Sequence, residues 1–247
     1  MDDTSSELEF RSPECSGASS RYSRVLRRAA YAFAALISAA LLTLAHLKRV
    51  AVGFPEAAAF VTGAWCVWLT VKEHIWNWPI GIASSAAFVM VFWQVRLFAD
   101  MSLQVIYILL GFLGWYWWLR GGEERSALRV SRASRRLLVE LGIIIAASTI
   151  GMNRYLSSVN DSAPLWDALT TTLSLGAQFL LTRKFIQNWY IWIVADAIYI
   201  VLYAARHLWL TSLLYVLFFG LCLVGLREWR QSLLDHQPVE DSMGSVL

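Results

Sequence analysis

Eight apolar stretches, each about long enough to cross a bilayer, take up most of this 247-residue chain. Hydrophobic residues make up 57% of the sequence and charged residues only 16%, whereas a soluble domain has about 45–50% apolar and about 25% charged residues. An aqueous core cannot hide this much apolar surface, but lipid can, provided that the backbone is hydrogen-bonded within helices. The sequence therefore predicts an all-α polytopic membrane protein.

The first of these stretches follows a polar N-terminal segment. Residues 1–23 are Ser-rich without a helical apolar period and predict a disordered cytoplasmic tail. Residues 24–50 predict an extra N-terminal helix, although a basic flank before an apolar run is also typical of a cleaved signal peptide. Residues 231–247 are polar and predict a second cytoplasmic tail. The seven other spans are expected at 55–71, 76–95, 101–119, 137–152, 165–181, 189–203 and 209–226.

The basic residues are distributed unevenly between the loops. Most of the 21 Lys and Arg residues lie in segments that share one side of the membrane if all eight spans cross. Cytoplasmic loops carry the excess of Lys and Arg, and the loop at 120–136 is the richest of them. The pattern therefore predicts a multi-pass protein of the bacterial inner membrane with both termini in the cytoplasm.

Part of the chain repeats after 111 residues. At this shift the matches are Asn77, Trp78, Gly114 and Trp118 with Asn188, Trp189, Gly225 and Trp229. Each repeat, 55–119 and 165–229, then holds three spans, with a linker helix at 137–152 between them. An odd helix between two three-helix units gives both units the same orientation. The sequence thus predicts a transporter core, residues 51–230, with a SWEET-like 3+1+3 parallel repeat.

One stripe in the second repeat combines aromatic rings with an acid. A spacing of three or four residues puts five side chains on one helix face: Trp189, Trp192, Asp196, Tyr199 and Tyr203. An indole face attracts a cation and a carboxylate can neutralise it, which suits a flat, cationic ligand. A mid-helix Asp costs about 2.5–3.5 kcal/mol to insert, so it should face a cavity or a partner. The alternatives are a membrane-interface anchor for Trp189 and a structural hydrogen bond for Asp196.

Polar residues at helical spacing mark two further spans. Thr171, Ser174 and Gln178 form a stripe suited to ligand hydroxyls and amides, although small hydroxylated residues also hold membrane helices together. Gln104 and Tyr107 are candidate ligand donors on the fourth span. These residues extend the candidate substrate site beyond a single helix.

Three other features have structural interpretations. Gly111 and Gly114 are expected to allow close helix packing. Trp118 is expected to anchor the end of its span at the membrane interface. Pro79 and Gly81 indicate either a hinge or a proline tolerated in the first helical turn.

The reactive side chains form no metal or catalytic set. The three Cys and four His residues are far apart, and the spans hold no ligand pair and no Ser/His/Asp arrangement. A retinal photoreceptor would need a Schiff-base lysine in its last helix, but no lysine follows Lys184. We therefore expect no enzyme, cofactor, metal or nucleic-acid partner. A signalling or scaffold protein stays open, because such a protein needs no motif.

Several motifs, taken in order, resemble the PnuC family over about residues 55–230. They are Trp76-Asn77-Trp78-Pro79-Ile80-Gly81, Leu103-Gln104 with Tyr107, Gly114-Trp115 with Trp118, Asp167-Ala168 with Thr171, Gln178 with Leu180 through Lys184, and Asn188-Trp189 through Asp196. Each motif is weak alone, but the ordered set is specific.

This resemblance implies a transporter of nicotinamide riboside or a related vitamin precursor. It also implies a SWEET-like core, a homotrimer in membrane lipid, and facilitated diffusion with a cytoplasmic kinase that traps the substrate. The substrate contacts that it implies are Trp189, Trp192, Asn188, Gln104, Tyr107 and Gln178. Asp196 and Thr171 join this set from the spacing above. Thiamine, riboflavin or a deoxynucleoside remain alternatives, because aromatic stacking accepts any flat ring.

Overall fold

The computed structural model describes residues 54–94, 98–159, 163–205, 207 and 209–235, together with most positions of 35–47. Two compact units are distinguished, Met1–Ala58 and Ala59–Leu247. In the first unit, the described positions between 35 and 46 are helical. The tail predicted for 1–23, much of the helix predicted for 24–50, and residues 236–247 lie outside the described residues.

Seven helices in the described residues correspond to the spans predicted from residue 55 onward. They are α1 (Phe54–Val71), α2 (Asn77–Gln94), α3 (Phe98–Arg120), α4 (Arg135–Ser158), α5 (Pro164–Thr182), α6 (Asn188–Ala205) and α7 (Trp209–Asp235). A short 3-10 turn at Glu123–Arg125 follows α3. The all-helical fold is therefore confirmed in this part of the chain.

Two helices run further than the sequence indicated. α4 continues to Ser158 and α7 to Asp235, beyond the ends expected at 152 and 226. Polar residues dominate both extensions, so the hydropathy pattern predicted helix ends that are too early in the sequence. In α7 the extension is held by tertiary contacts, because Trp229 is fully buried and Leu233 packs against the same core.

α1 and α5 end in turns of the same conformation. Glu73 and Lys184, which are 111 residues apart, have left-handed backbones with φ of 54° and 56°. In each turn, the amide of this residue and the amide of the next bond to carbonyls of the preceding helical turn at 2.8–3.0 Å. A left-handed residue commonly ends a helix in this way, and each turn then leads into the next helix.

The helices pack mainly as neighbours along the chain. α2 packs against α3, α4 against α5, and α6 against α7, while α5 also contacts α6 and α3. α1 approaches α7 at Gly63, where a Cβ would come within 3.3 Å of Phe218. α1 also meets α2, because the Cys66 thiol donates to the carbonyl of Asn77 at 3.4 Å. All the helices from α1 to α7 except α4 thus surround a common interior. Among the described residues, α4 does not reach this interior and packs against α5.

The core of the second unit is built on four tryptophans. Trp78 and Trp118 pack edge to face with ring centroids 5.4 Å apart, and Trp189 and Trp229 do the same at 5.4 Å. The two pairs meet where Trp118 lies 6.0 Å from Trp229. Edge-to-face contact is a favoured geometry for aromatic rings, so the four indoles form one connected cluster, here called the tryptophan core.

The position of Trp118 corrects one expectation. Trp118 is only 4% exposed, and its Nε1 donates to the carbonyl of Leu181 at 3.0 Å. The interpretation of Trp118 as an interface anchor is therefore wrong. A tryptophan near a helix end suits both an interface and a core, and the distinction depends on which neighbouring helices cover it.

Glycines allow the tryptophan pairs to approach. A Cβ built on Gly114 would overlap the ring of Trp78, and a Cβ on Gly225 would overlap the ring of Trp189. A Cβ built on Gly111 would come within 2.7 Å of Ile82 on α2. The close-packing roles expected for Gly111 and Gly114 are confirmed.

The Arg-rich loop between α3 and α4 is anchored on the turn between α5 and α6. The amide of Ser131 donates to the carbonyl of Lys184 at 3.2 Å, and the amide of Ile186 donates to the carbonyl of Ser131 at 3.0 Å. The Lys184 Nζ donates to the carbonyl of Leu128 at 2.9 Å. Val130 is buried. The loop therefore joins the two helical groups that precede and follow α4.

Four helical segments are long and apolar enough to cross a membrane, counted over the described residues. They are Met101–Arg120, Arg135–Ser158, Asn188–Ala205 and Ser212–Asp235. The outer face of α4 carries large apolar side chains, such as Ile143 and Ile144 at 64% and 59% exposure. Such a surface is stable in lipid and unfavourable in water. The structure therefore agrees with the membrane protein that the composition predicted.

Candidate functional site

A cavity of about 470 Å³ lies inside the second unit. Residues from α1, α2, α3, α5, α6 and α7 border it. Its volume falls within the range of about 300–1,000 Å³ that small-molecule sites occupy. Trp78 and Trp189 belong both to the tryptophan core and to the cavity wall, so the cavity adjoins the tryptophan core.

The structure brings most of the predicted site residues together. The predicted residues that border the cavity are Trp189, Trp192, Asn188, Asp196, Gln104, Tyr107 and Gln178. Thr171 is not among the described residues that border it. Thr171 is half-buried on α5, while Ser174, one turn later, borders the cavity. The polar stripe of α5 therefore reaches the cavity only through its C-terminal part.

Asp196 is a buried carboxyl in the cavity wall. It is 4% exposed, and its Oδ2 accepts a bond from the thiol of Cys222 at 3.4 Å. A thiol is a weak donor, so this contact leaves most of the accepting capacity of the carboxyl unused. Asp196 lies one turn beyond Trp192 on the same face of α6 and could meet a ligand that stacks there.

Asn188 and Trp189 are the first two residues of α6, and each carries a polar atom without a hydrogen-bond partner among the described residues. Asn188 is completely buried, and its Nδ2 donates to the carbonyl of Phe185 at 2.7 Å. Its Oδ1 and the Nε1 of Trp189 are buried without a hydrogen-bond partner among the described residues. A buried unpaired polar group costs about 1–3 kcal/mol, and both residues border the cavity.

Two residues at the start of α2 that were not predicted as substrate contacts also border the cavity. Asn77 and Trp78 are 2% and 3% exposed and contribute to the wall. Pro79 lies in the first turn of α2, which begins at Asn77, and a proline is well tolerated there. The signal that could have found Asn77 and Trp78 is the 111-residue shift that aligns them with Asn188 and Trp189.

Tyrosines that were not predicted as substrate contacts line another part of the cavity. Tyr199 and Tyr215 border it, with ring centroids 4.5 Å apart. Tyr203 stacks on both, at 5.9 Å and 5.3 Å. Tyr199 belongs to the stripe predicted on α6, since it follows Asp196 by three residues. Tyr215 lies on α7, and no spacing within one helix links it to the stripe.

The arrangement favours binding over reaction chemistry. Aromatic rings, amides and one buried carboxyl border the cavity, and no Lys, Arg or His is among the described residues that border it. No group of three or more His, Cys, Asp or Glu that could hold a metal occurs in the described ranges. Such a wall can stack a flat ring and hydrogen-bond its substituents.

Comparison with known proteins shows similarity to membrane transporters. The family described as "Nicotinamide mononucleotide transporter" matches residues 54–231. The nicotinamide riboside transporter PnuC of Escherichia coli (strain K12) is 27% identical over 203 residues, covering 72% of this chain and 85% of that protein. The riboflavin/roseoflavin transporter RibM of Streptomyces davaonensis is 26% identical over 179 residues, covering 69% and 82%.

A solved structure shares the fold. The crystal structure of the vitamin B3 transporter PnuC superposes with a TM-score of 0.62 at 21% identity, covering 83% of this chain and 93% of that one. The relatives and the four apolar helices support a multi-pass protein of a bacterial inner membrane. Since the family match spans residues 54–231, from the start of α1 into α7, the chain belongs to the nicotinamide mononucleotide transporter family, the family of the PnuC proteins.

Proposed function

We propose that this protein transports nicotinamide riboside across the membrane by facilitated diffusion and is not an enzyme. The observation that carries the proposal is the cavity of about 470 Å³ in which Trp189, Trp192 and Asp196 meet on one side. The Escherichia coli relative, named a nicotinamide riboside transporter, supports the same substrate.

The chemistry of nicotinamide riboside fits this wall. Its pyridinium ring is flat and cationic, and an indole face attracts a cation through its quadrupole. The carboxyl of Asp196 would neutralise the ring charge, since a buried charge needs a partner. The amides of Gln104 and Gln178, which also border the cavity, would bond the ribose hydroxyls and the carboxamide.

The cavity suits a riboside better than a phosphorylated nucleotide. A phosphate would bring a negative charge close to Asp196, where no Lys, Arg or His borders the cavity among the described residues. Burying an unpaired anion is strongly unfavourable. The substrate is therefore a neutral or cationic nucleoside.

Riboflavin is the second candidate substrate. The RibM relative is named as a riboflavin and roseoflavin transporter, and stacking on Trp192 would also accept an isoalloxazine ring. A neutral flavin would gain less from Asp196 than a pyridinium, which favours nicotinamide riboside here.

We infer a SWEET-like 3+1+3 core at 51–230, with α1–α3 and α5–α7 as parallel repeats and α4 as the linker. Support comes from contacts that recur 111 residues apart, such as the two edge-to-face tryptophan pairs. The proposed arrangement also includes the extra helix at 24–50 and two cytoplasmic tails, 1–23 and 231–247, whose location is supported by the bias of basic residues. It includes a homotrimer in membrane lipid, which is supported by the family resemblance.

The direct test measures binding and uptake by the full chain. Detergent-purified protein is titrated with nicotinamide riboside, riboflavin and thiamine by isothermal calorimetry. Proteoliposomes then report counterflow of the bound compound, which is expected to persist when an uncoupler collapses the proton gradient. Absence of nicotinamide riboside binding, or binding without counterflow, would overturn the proposal, and the second result would favour a signalling or scaffold protein.

A further inference from the structure

Four buried polar atoms on residues that border the cavity lack hydrogen-bond partners among the described residues. They are Asn77 Oδ1, Trp78 Nε1, Asn188 Oδ1 and Trp189 Nε1. The side chains that carry them are at most 3% exposed, and all border the cavity. Natural folds rarely leave a buried donor or acceptor unpaired, so these atoms indicate that something in the cavity pairs with them.

The four atoms form two equivalent sets. Each set holds one acceptor, the Asn oxygen, and one donor, the indole N–H of the next residue. The amide nitrogens are already used, since Asn77 Nδ2 donates to Thr70 Oγ1 at 3.1 Å and Asn188 Nδ2 donates to the carbonyl of Phe185 at 2.7 Å. These bonds fix each amide so that its oxygen is the free atom.

The tryptophan core provides an internal comparison. Trp118 and Trp229 are buried in the same cluster but do not border the cavity. Their Nε1 atoms donate to the backbone carbonyls of Leu181 and Thr70 at 3.0 Å and 3.1 Å. The fold therefore pairs the indole N–H groups that face the core and leaves unpaired the two that belong to cavity-wall residues.

We propose that Asn77 and Trp78 form a second polar clamp for the ligand, equivalent to the clamp of Asn188 and Trp189. The two clamps select a ligand with two separate groups that can each donate and accept a hydrogen bond. A hydroxyl fits, because it can donate to the Asn oxygen and accept from the indole N–H, and a primary carboxamide fits equally well. The inference rests on the proposed function, since nicotinamide riboside carries ribose hydroxyls and a carboxamide.

The test replaces each indole by a ring without the N–H. Trp78→Phe and Trp189→Phe keep an aromatic ring beside the cavity and are expected to weaken nicotinamide riboside binding about 5- to 30-fold. Trp118→Phe and Trp229→Phe are matched controls, since they make the same change in the same core. The controls are expected to lower the melting temperature and to bind within about twofold of the parent.

A second variant avoids the tryptophan core. Asn77→Leu removes the acceptor of the new clamp and is expected to weaken binding by a similar factor, even if Trp78→Phe does not remain monodisperse. All proteins are full-length, purified in detergent and titrated by calorimetry with nicotinamide riboside, riboflavin and thiamine.

The outcomes separate the clamp from the proposed function. If the parent binds nicotinamide riboside and the clamp variants bind no worse than the controls, the clamp is overturned and the function stands. If the parent binds only riboflavin or thiamine and the clamp variants weaken that binding, the function falls and the clamp stands. If the parent binds none of the three compounds, both fall.

Discussion

In each half of the molecule, residues 54–120 and 164–235, a tryptophan at the start of one helix packs edge to face on a tryptophan of the following helix. The interplanar angles are 87° for Trp78 with Trp118 and 86° for Trp189 with Trp229. In both halves the following helix presents a glycine to the first indole. The two halves thus use the same packing solution at positions 111 residues apart.

The cavity linings of the two halves differ in chemistry. At positions 111 residues apart, all bordering the cavity, Trp192, Asp196 and Gln178 of the second half correspond to Gly81, Ser85 and Val67 of the first. The shared packing residues support the fold, whereas the carboxyl group and most of the aromatic rings that border the cavity lie in the second half. The packing residues common to both halves are here called the shared frame. Substitutions at equivalent frame positions should lower the stability of the protein by similar amounts in the two halves. Substitutions at equivalent positions of the cavity lining should lower ligand affinity more in the second half than in the first.

The largest effect is expected at Trp192. Trp192→Ala removes a stacking face worth roughly 1–3 kcal/mol by analogy with base stacking, which is about a 5- to 150-fold loss of affinity for nicotinamide riboside. Trp192→Phe should recover part of this loss. Trp166, 48% exposed on α5 and outside the cavity wall, is the control, and Trp166→Ala should bind like the parent. If a well-folded Trp192→Ala protein binds nicotinamide riboside with parental affinity, the assignment of the ligand-contacting face to α6 is wrong.

The shared frame is tested at its glycines. Gly114→Ala and Gly225→Ala each place a methyl group against an indole, so each should destabilise the protein by about 1–3 kcal/mol. Thermal unfolding of the purified protein measures the effect. Gly220 on α7 has no atom within 4 Å of a built Cβ, so Gly220→Ala should leave the melting temperature unchanged or raise it. A large effect in one half alone would contradict the common frame.

The charge asymmetry is tested at Asp196. Asp196→Asn keeps the shape and removes the charge, so affinity for the cationic riboside should fall about 3- to 30-fold. Affinity for the reduced riboside, whose ring is uncharged, should change much less. Ser85→Ala, at the equivalent position of the first half, should affect both compounds little. Equal losses for the two ring forms would show that Asp196 has a structural role.

The smallest effects are expected at two ion pairs near the turns. Lys184 is 9% exposed in its side chain and pairs with Glu73 at 2.8 Å, while Lys72 and Glu228 pair at 2.8 Å with 33% and 42% exposure. Lys184→Met should destabilise by about 1–2 kcal/mol, since it also loses the bond to the loop before α4. Lys72→Met should cost less than about 1 kcal/mol, as exposed pairs do. Equal melting temperatures for the two variants would contradict this ranking.

Local patterns predicted most of the helices and one side of the site. The spans from residue 55 onward are present because apolar runs of bilayer length form helices whatever their neighbours are. The stripe from Trp189 to Asp196 borders the cavity because helical spacing alone puts those residues on one face. The ends of α4 and α7 were missed, since both extensions are polar, and that of α7 is held by core contacts of Trp229 and Leu233 that hydropathy does not register.

The remaining site residues depended on contacts between helices. Thr171 shares the spacing of Ser174 and Gln178 but does not border the cavity among the described residues. Asn77 and Tyr215 border it without belonging to any polar stripe. Periodicity assigns a residue to a helix face, but which face meets a cavity depends on how the neighbouring helices pack.

The sequence by itself determined that this protein is a helical membrane protein, the number and order of the helices described from residue 54 onward, and that its motifs place it with a transporter family. Those properties follow from composition, periodicity and local order, which act over a few turns of helix. Only the tertiary structure decided that Trp118 is a core residue, that Trp78 borders the cavity, and that Asn77 lies in the same wall as Asn188. Those assignments depend on which surfaces of distant segments exclude water from one another, a long-range packing outcome that local free energies do not specify.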